Sequence, residues 1–427
     1  MNTRADSIAS PDFYKASVRP SFLEKLARTA IYSRLENLAV GELVVVEGSE
    51  ERVFGARNDE FPEPAVIRVQ NPRFFSDVAF GGSVGAGEAY IQGHWECESL
   101  LGTLQILVRN RHVLEKMDSG FAWLGKPVQK MLHTLNKNTR SGSRRNISAH
   151  YDLGNDFYKL WLDETMMYSS AWFASSETTL YEASVEKLDR ICRQLSLSAE
   201  DSVVEIGTGW GGFAIHAASN YGCHVTTTTI SKEQHDYAEN AIRAAGLEDK
   251  ITLLFEDYRD LTGTYDKLVS IEMIEAVGHE FHETFFAKCC DLLKPNGEML
   301  LQAITIADQR YEQYKKSVDF IKRYIFPGGC LTSVTDMTRV LTEKTDMRVV
   351  NLEDIGPHYA RTLAEWNERF FARIDDVRAQ GYTDEFIRMW EYYLCYCESA
   401  FTERVIGDVQ MHIIRPDARP LIQPNSI

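Results

Sequence analysis

Short apolar runs that stop abruptly on glycine or polar residues recur through the second half of the chain. Val203–Ile206 stops at Gly207, Cys223–Thr229 at Ile230–Ser231, Ile251–Phe255 at Glu256–Asp257, and Lys267–Ile271 at Glu272. Each run is of strand length and the stretches between them have helical spacing, so the pattern predicts repeated strand–helix units and an open parallel sheet. Further strands are expected at Glu298–Ile304, Met347–Leu352 and Val409–Ile414. Two helical excursions interrupt this series, one from about Asp308 to Thr345 and one from about Arg361 to Phe401, both rich in aromatic residues. The predicted fold class is therefore α/β, a sheet with helical insertions preceded by a smaller mixed α/β N-terminal domain.

The pattern weakens upstream. Glu42–Glu47, Ala65–Val69 and Ser76–Phe80 read as short strands or helices packed around aromatic residues, with no chemistry of their own. Between this module and the sheet, Phe121, Leu124, Val128, Met131, Leu132 and Leu135 share one helical face, with Lys126 and Lys130 off it. Asn136 to Asn146 lacks periodic apolar residues and reads as a linker. The expected organisation is an N-terminal accessory domain at 1–118, a basic amphipathic linker at 119–147 and a catalytic domain at 148–427.

Charge sharpens that division. The 427 residues carry a formal net charge of −16, which argues against nucleic acid as a partner. Yet from Gly120 to His150 there is no acid, while Lys126, Lys130, Lys137, Arg140, Arg144 and Arg145 are basic. That segment is expected to touch an anionic membrane surface or to be a solvated linker. Eight cysteines without a paired framework point to reduced thiols, and Cys397 reads as a packed thiol. Met1 to Asp12 has no apolar core of a signal segment, and no stretch supplies about 18 apolar residues. The expected location is cytoplasmic, peripheral at the inner membrane surface.

The chemistry concentrates at the strand ends. Glu205–Ile206–Gly207–Thr208–Gly209–Trp210–Gly211–Gly212 places a carboxylate and a glycine turn just before a helix, the arrangement that lets backbone approach a cofactor. No acid ends the second strand; Thr229, Ser231 and Gln234 stand where a dinucleotide fold places its ribose-binding carboxylate, which disfavours a nicotinamide cofactor. Asp257, after the third strand, is positioned to accept from an adenine amine. Glu272 and Glu275 follow the fourth strand, three residues apart.

These segments, together with Asp257–Tyr258–Arg259–Asp260 and Glu275–Ala276–Val277–Gly278, resemble class I methyltransferases that use S-adenosylmethionine. His150–Tyr151–Asp152–Leu153–Gly154–Asn155–Asp156–Phe157, Tyr324 to Leu331 and Trp390–Glu391–Tyr392–Tyr393 narrow the resemblance to cyclopropane-fatty-acyl-phospholipid synthases. The likeness is dense from Arg145 to Pro416. It implies a Rossmann-like methyltransferase sheet and transfer of a methylene group to the cis double bond of an unsaturated phospholipid acyl chain. By the family pattern Tyr151, Tyr168 and Ser169 join Glu205, Gly207, Gly209, Gly211, Thr229, Ser231, Gln234 and Asp257 as the cofactor set. A bicarbonate ion is implied as base, held by Glu275, Tyr359, Ser170, Gln302 and Ile304.

Two positions depart from the pattern. Ser170 stands where the best-known bacterial members have cysteine, and Gln302 where they have histidine; an amide donates a hydrogen bond but holds no proton. The same choices resemble plant cyclopropane synthases. Glu272 reads as a helix cap or cofactor contact, and His279 and His282 as surface residues with no metal role. The alternatives are a methyltransferase that stops at a methyl or methylene product or acts on a soluble amine, and a lipid-binding protein without catalysis; the intact glycine loop disfavours the last. The oligomeric state stays open, a homodimer included.

Overall fold

The computed structural model describes residues 20–111, 138, 142–143 and 153–420. Tyr151, and all of the expected linker except residues 138, 142 and 143, lie outside the described residues. The chain divides into two compact units, and the division is not the one expected. The segment Gly381–Glu403 groups with the N-terminal unit, leaving the second unit to run up to Gln380 and resume at Arg404.

In the first unit, strands β1 (Gly41–Glu47), β2 (Glu50–Ala56), β3 (Ala65–Val69) and β4 (Trp95–Cys97) form a sheet of order β2-β1-β3-β4. The stretch Ser76–Phe80 lies within a helix, Arg73–Ile91, whose glycine-rich middle bends at Gly82 (φ 59°, ψ −138°). The helix Asp384–Thr402 packs in this unit. Arg388 Nε donates to Tyr90 O (2.6 Å) and its Nη2 to Trp95 O (3.0 Å), while the Tyr90 hydroxyl donates to Glu391 Oε2 (2.7 Å).

The second unit holds a sheet of seven strands: β5 (Ser202–Ile206), β6 (His224–Thr228), β7 (Ile251–Leu254), β8 (Tyr265–Ile271), β9 (Leu293–Ile306), β10 (Arg348–Asp354) and β11 (Ile406–Ile414). Their order is β10-β11-β9-β8-β5-β6-β7. The pairs from β7 through β9 are parallel, and β11 runs antiparallel between β9 and β10. Chain order reverses between β5 and β8, so the crevice beyond their carboxyl ends is the place for a ligand. Apolar residues on both faces, among them Val203, Val204, Leu268, Val269 and Leu300, are nearly free of solvent and explain why these strands read as continuous apolar runs. Helix Leu180–Gln194 begins with a capping box between Thr179 and Glu182 and lays Leu180, Ala183, Leu188 and Ile191 inward.

Candidate active site

The loop leaving β5 is built for close backbone approach. Gly207, Gly209 and Gly211 have φ of 105°, 55° and 95°, conformations that favour glycine. A Cβ on Gly212 would fall 2.7 Å from Met167 Sδ and 3.0 Å from Thr165 O, whereas one on Gly209 would meet nothing within 4 Å. Thr208 is anchored to β6 through its N–H to Thr228 O (3.0 Å) and a hydroxyl contact with Thr227 (2.6 Å). Thr227 in turn donates to Glu205 Oε2 at 2.6 Å. Burial pushes the Glu205 carboxyl up to about 8, against the Thr227 bond and the nearby Lys187 charge. The turn after β6 is laced internally: Ser231 Oγ caps the helix Lys232–Ala244 by accepting from Gln234 N, and Thr229 Oγ1 donates to Gln234 Oε1 (3.0 Å). Asp257 is held by Arg259, whose Nε and Nη2 reach its two carboxylate oxygens at 2.8 and 2.6 Å.

Beyond β8 the geometry differs from the expected anion site. The Ser170 N–H and Gln302 Nε2 donate to Glu272 Oε1 at 2.8 and 2.7 Å, and the Tyr359 hydroxyl donates to Glu272 Oε2 at 2.7 Å. Three of the groups expected around a free anion thus converge on the carboxylate of Glu272. The Glu272 backbone N–H also pairs with Gln302 O (2.9 Å), and its φ of 48° is left-handed. Glu275 turns away into a single 3₁₀ turn, Ile274–Ala276. Its Oε1 accepts from Ile304 N at 2.5 Å, and its Oε2 is buried with no partner. Burial, followed by the neighbouring Glu272 charge, raises Glu275 to about 8.

Two buried ionisable residues complete the cluster, and neither stands out in the sequence reading. Asp408, on β11, has no solvent exposure; its Oδ2 accepts from Gln302 Nε2 (3.0 Å) and its Oδ1 has no partner. Burial and the charges of Glu272 and Glu275 raise it well above a normal carboxyl; burial raises Glu272 as well, but there the Ser170, Tyr359 and Gln302 hydrogen bonds and the Lys187 charge work against it. Asp408 is therefore the member that keeps a proton, and Glu272 the one that carries charge. Lys187, fully buried, donates to Ser169 Oγ at 2.8 Å. Burial lowers it to about 8, and Glu272, Asp408, Asp163 and Glu205 pull it back up. A signal for Lys187 did exist: it occupies the apolar stripe Leu180, Ser184, Lys187, Ile191 of its helix.

An aromatic wall stands beside these groups. Tyr168 meets Tyr158, Trp161, Phe326 and Trp366 at centroid distances of 5.6, 5.5, 6.2 and 5.3 Å. Tyr359 lies edge-on to Trp366 at 6.0 Å. Phe326 follows a π-helical turn, Ile321–Ile325, within the first helical insertion. His282 is not a surface residue. It is buried, with Nδ1 3.0 Å from Asp336 Oδ2, to which Tyr311 also donates at 2.8 Å. The apolar face of its helix draws it inward, where Asp336 pairs with Nδ1 while Nε2 is buried without a partner.

Strand order, glycine loop and crevice together define a class I methyltransferase. Residues 138–411 match the family model described as mycolic acid cyclopropane synthetase. The chain is 37% identical over 351 residues to a cyclopropane-fatty-acyl-phospholipid synthase of Escherichia coli, covering 82% of this chain and 86% of that one. It is likewise 37% identical over 341 residues to the tuberculostearic acid methyltransferase UfaA1 of Mycobacterium tuberculosis, covering 78% and 79%. The mycolic acid cyclopropane synthase CmaA1, solved with SAH and CTAB, superposes with a TM-score of 0.59 at 29% identity, over 64% of this chain and 98% of that one. The chain belongs to the mycolic acid cyclopropane synthetase family and is an S-adenosylmethionine-dependent methyltransferase. The positive-φ glycines and the open space at Gly209 fit that cofactor.

Proposed function

We propose that the protein transfers a methylene group to the cis double bond of an unsaturated acyl chain in membrane phospholipid, closing a cyclopropane ring. The observation that carries this reading is the carboxylate cluster of Glu272, Glu275 and Asp408 set beside the aromatic rings of Tyr168, Tyr359 and Trp366. Methylation of an isolated alkene creates a carbocation and then requires loss of a proton. Aromatic faces stabilise the first and exclude water from it, and a buried carboxylate accepts the second. Transfer to an amine forms no carbocation, so it gives the aromatic wall nothing to stabilise. S-adenosylmethionine, when bound, supplies the electrophilic methyl group.

Within this reading the glycine loop Gly207–Gly211, the Ser231 turn and Tyr168 hold the cofactor, and Tyr359 and Trp366 wall the acyl chain. No helix among the described residues is long and apolar enough to cross a membrane. The acyl chain is therefore reached from the bilayer surface, on the cytoplasmic side in our reading, with the basic residues between Lys126 and Arg145 as the attracting charges. A second reading, a methyl or methylene branch without ring closure, is favoured by Gln302, which holds no proton. The test is incubation with S-adenosylmethionine and liposomes of cis-monounsaturated phospholipid, followed by mass spectrometry of the acyl methyl esters. A product one CH₂ heavier that resists mild hydrogenation is expected; a reducible product establishes the second reading, and no lipid product overturns both.

A further inference from the structure

Bicarbonate does not fit between Ser170, Gln302 and Tyr359, because a carboxylate is already there. The Ser170 N–H, the Gln302 amide and the Tyr359 hydroxyl each spend a hydrogen bond on Glu272, at 2.8, 2.7 and 2.7 Å. A glutamate carboxylate and bicarbonate share what such a slot reads: a planar group, one negative charge, and acceptor oxygens at the same spacing. The side chain enters the slot from a backbone held at φ 48°, a left-handed conformation that strains a non-glycine residue. Glycine would adopt it without strain. The slot is thus shaped as though for a separate anion, with the anion supplied on a short tether.

We propose that Glu272 is a built-in substitute for a bound anion: its carboxylate fills the slot framed by Ser170, Gln302 and Tyr359 and serves as the base, so the reaction needs no bicarbonate. This rests on the proposed transfer to an alkene. In that step the C–S bond breaks with its electron pair left on sulfur, and the alkene π pair forms the new C–C bond. Glu272 Oε then takes a proton from the transferred methyl group, and the freed C–H pair closes the ring onto the cationic carbon. Glu272 is left as a carboxylic acid. Asp408 lies within hydrogen-bonding reach of it and gives the cluster a second site over which one proton is shared. Lys187, Glu275 and Tyr359 complete the charged and titratable surroundings.

The test uses the full-length protein bound to S-adenosylhomocysteine, titrated with ¹³C-bicarbonate and followed by NMR, for the wild type and for Glu272→Gly and Glu272→Gln. Only Glu272→Gly is expected to show saturable binding, because only there is the slot vacated. In carbon-dioxide-depleted buffer the wild-type rate changes less than about twofold when bicarbonate is added. Glu272→Gly falls by about a hundredfold or more, the lower end of what a general base contributes, and recovers at least about tenfold with bicarbonate. Glu272→Gln falls similarly and is not rescued, since its amide still blocks the slot. Unchanged S-adenosylhomocysteine affinity in both variants shows that they are folded. Saturable bicarbonate binding by the wild type, a wild-type requirement for it, or full activity of Glu272→Gly without it overturns the proposal. If the wild type gives no lipid product under any condition, the proposed function fails, and the NMR titration still decides who fills the slot.

Discussion

Lys187 is one buried amine among four carboxyl groups, Glu272, Asp408, Asp163 and Glu205, which work against the burial that lowers its pKa to about 8. Its role toward Glu272 follows from sign: the ammonium favours the charged carboxylate, as do Ser170, Gln302 and Tyr359, whereas burial, Asp408 and Glu275 oppose it. Lys187→Met removes the cation, so Glu272 stays protonated to higher pH. The acidic limb of kcat/KM is expected to move upward, read from a pH–rate profile between about 6 and 9.5. The same change breaks a buried ionic network and costs about 3–5 kcal/mol in urea unfolding. A structural role alone would lower stability and leave the limb in place. The family resemblance assigns Glu275, Ser170, Gln302, Tyr359 and Ile304 to one anion site and leaves out Glu272, Lys187 and Asp408, and the reason is local. Spacing of three suggests that Glu272 and Glu275 share a helical face, but the left-handed backbone at Glu272 sends the two side chains to different partners. Asp408, Gln410 and His412 alternate with apolar residues, a pattern that does not by itself show burial, although both sides of β11 are buried.

Elements were legible wherever burial produced a continuous pattern. The strands β5, β8 and β9 came through within a few residues because they are apolar on both faces, and β6 and β7 because the turn chemistry of the crevice bounds them. β2 did not: Glu50–Ala56 is an edge strand exposed at nearly every position, so nothing in its polarity marks it. The glycine loop can be tested as an element by comparing two of its members. Gly209→Ala adds a methyl group to open space at φ 55°, a backbone strain of about 1 kcal/mol. Gly212→Ala drives its methyl group to 3.0 Å from the Thr165 carbonyl, which cannot swing aside as a side chain could, and to 2.7 Å from Met167 Sδ. Thermal unfolding is expected to show the larger loss for Gly212→Ala, by about 1–3 kcal/mol. S-adenosylhomocysteine titration is expected to show weakened binding for both, since each shifts the backbone amides that approach the ligand.

At the scale of the whole molecule, stability is expected to decline from pH 5 to pH 8. Glu205 has a native pKa raised from 4.5 to about 8, so the folded chain binds more protons than the unfolded chain in that window. A contribution of this sign is full below the unfolded value and is lost as pH rises through the folded one. For Glu205, 2% exposed, it amounts to a few kcal/mol, on the order of 1.4 per pKa unit. Glu205→Gln should flatten the urea-midpoint curve between those limits; a curve parallel to the wild type would assign the slope elsewhere. The division into units has its own consequence. The helix Asp384–Thr402 follows the sheet's second insertion in sequence, and its aromatic stripe does not say which unit it packs in. In the fold its Arg388 and Glu391 are satisfied by Tyr90 and Trp95, and Tyr392 lies 5.8 Å from the Tyr90 ring. A fragment starting at residue 133 would keep this helix and lose those partners. It would then expose Tyr392 and leave Glu391 and Arg388 without the groups that offset their burial. Such a fragment is expected to aggregate or to bind a hydrophobic dye strongly in size-exclusion and fluorescence measurements, even though it contains every strand of the seven-stranded sheet. A monomeric fragment that binds S-adenosylhomocysteine like the full chain would show instead that the second unit tolerates an orphaned helix and holds its cofactor without the N-terminal unit.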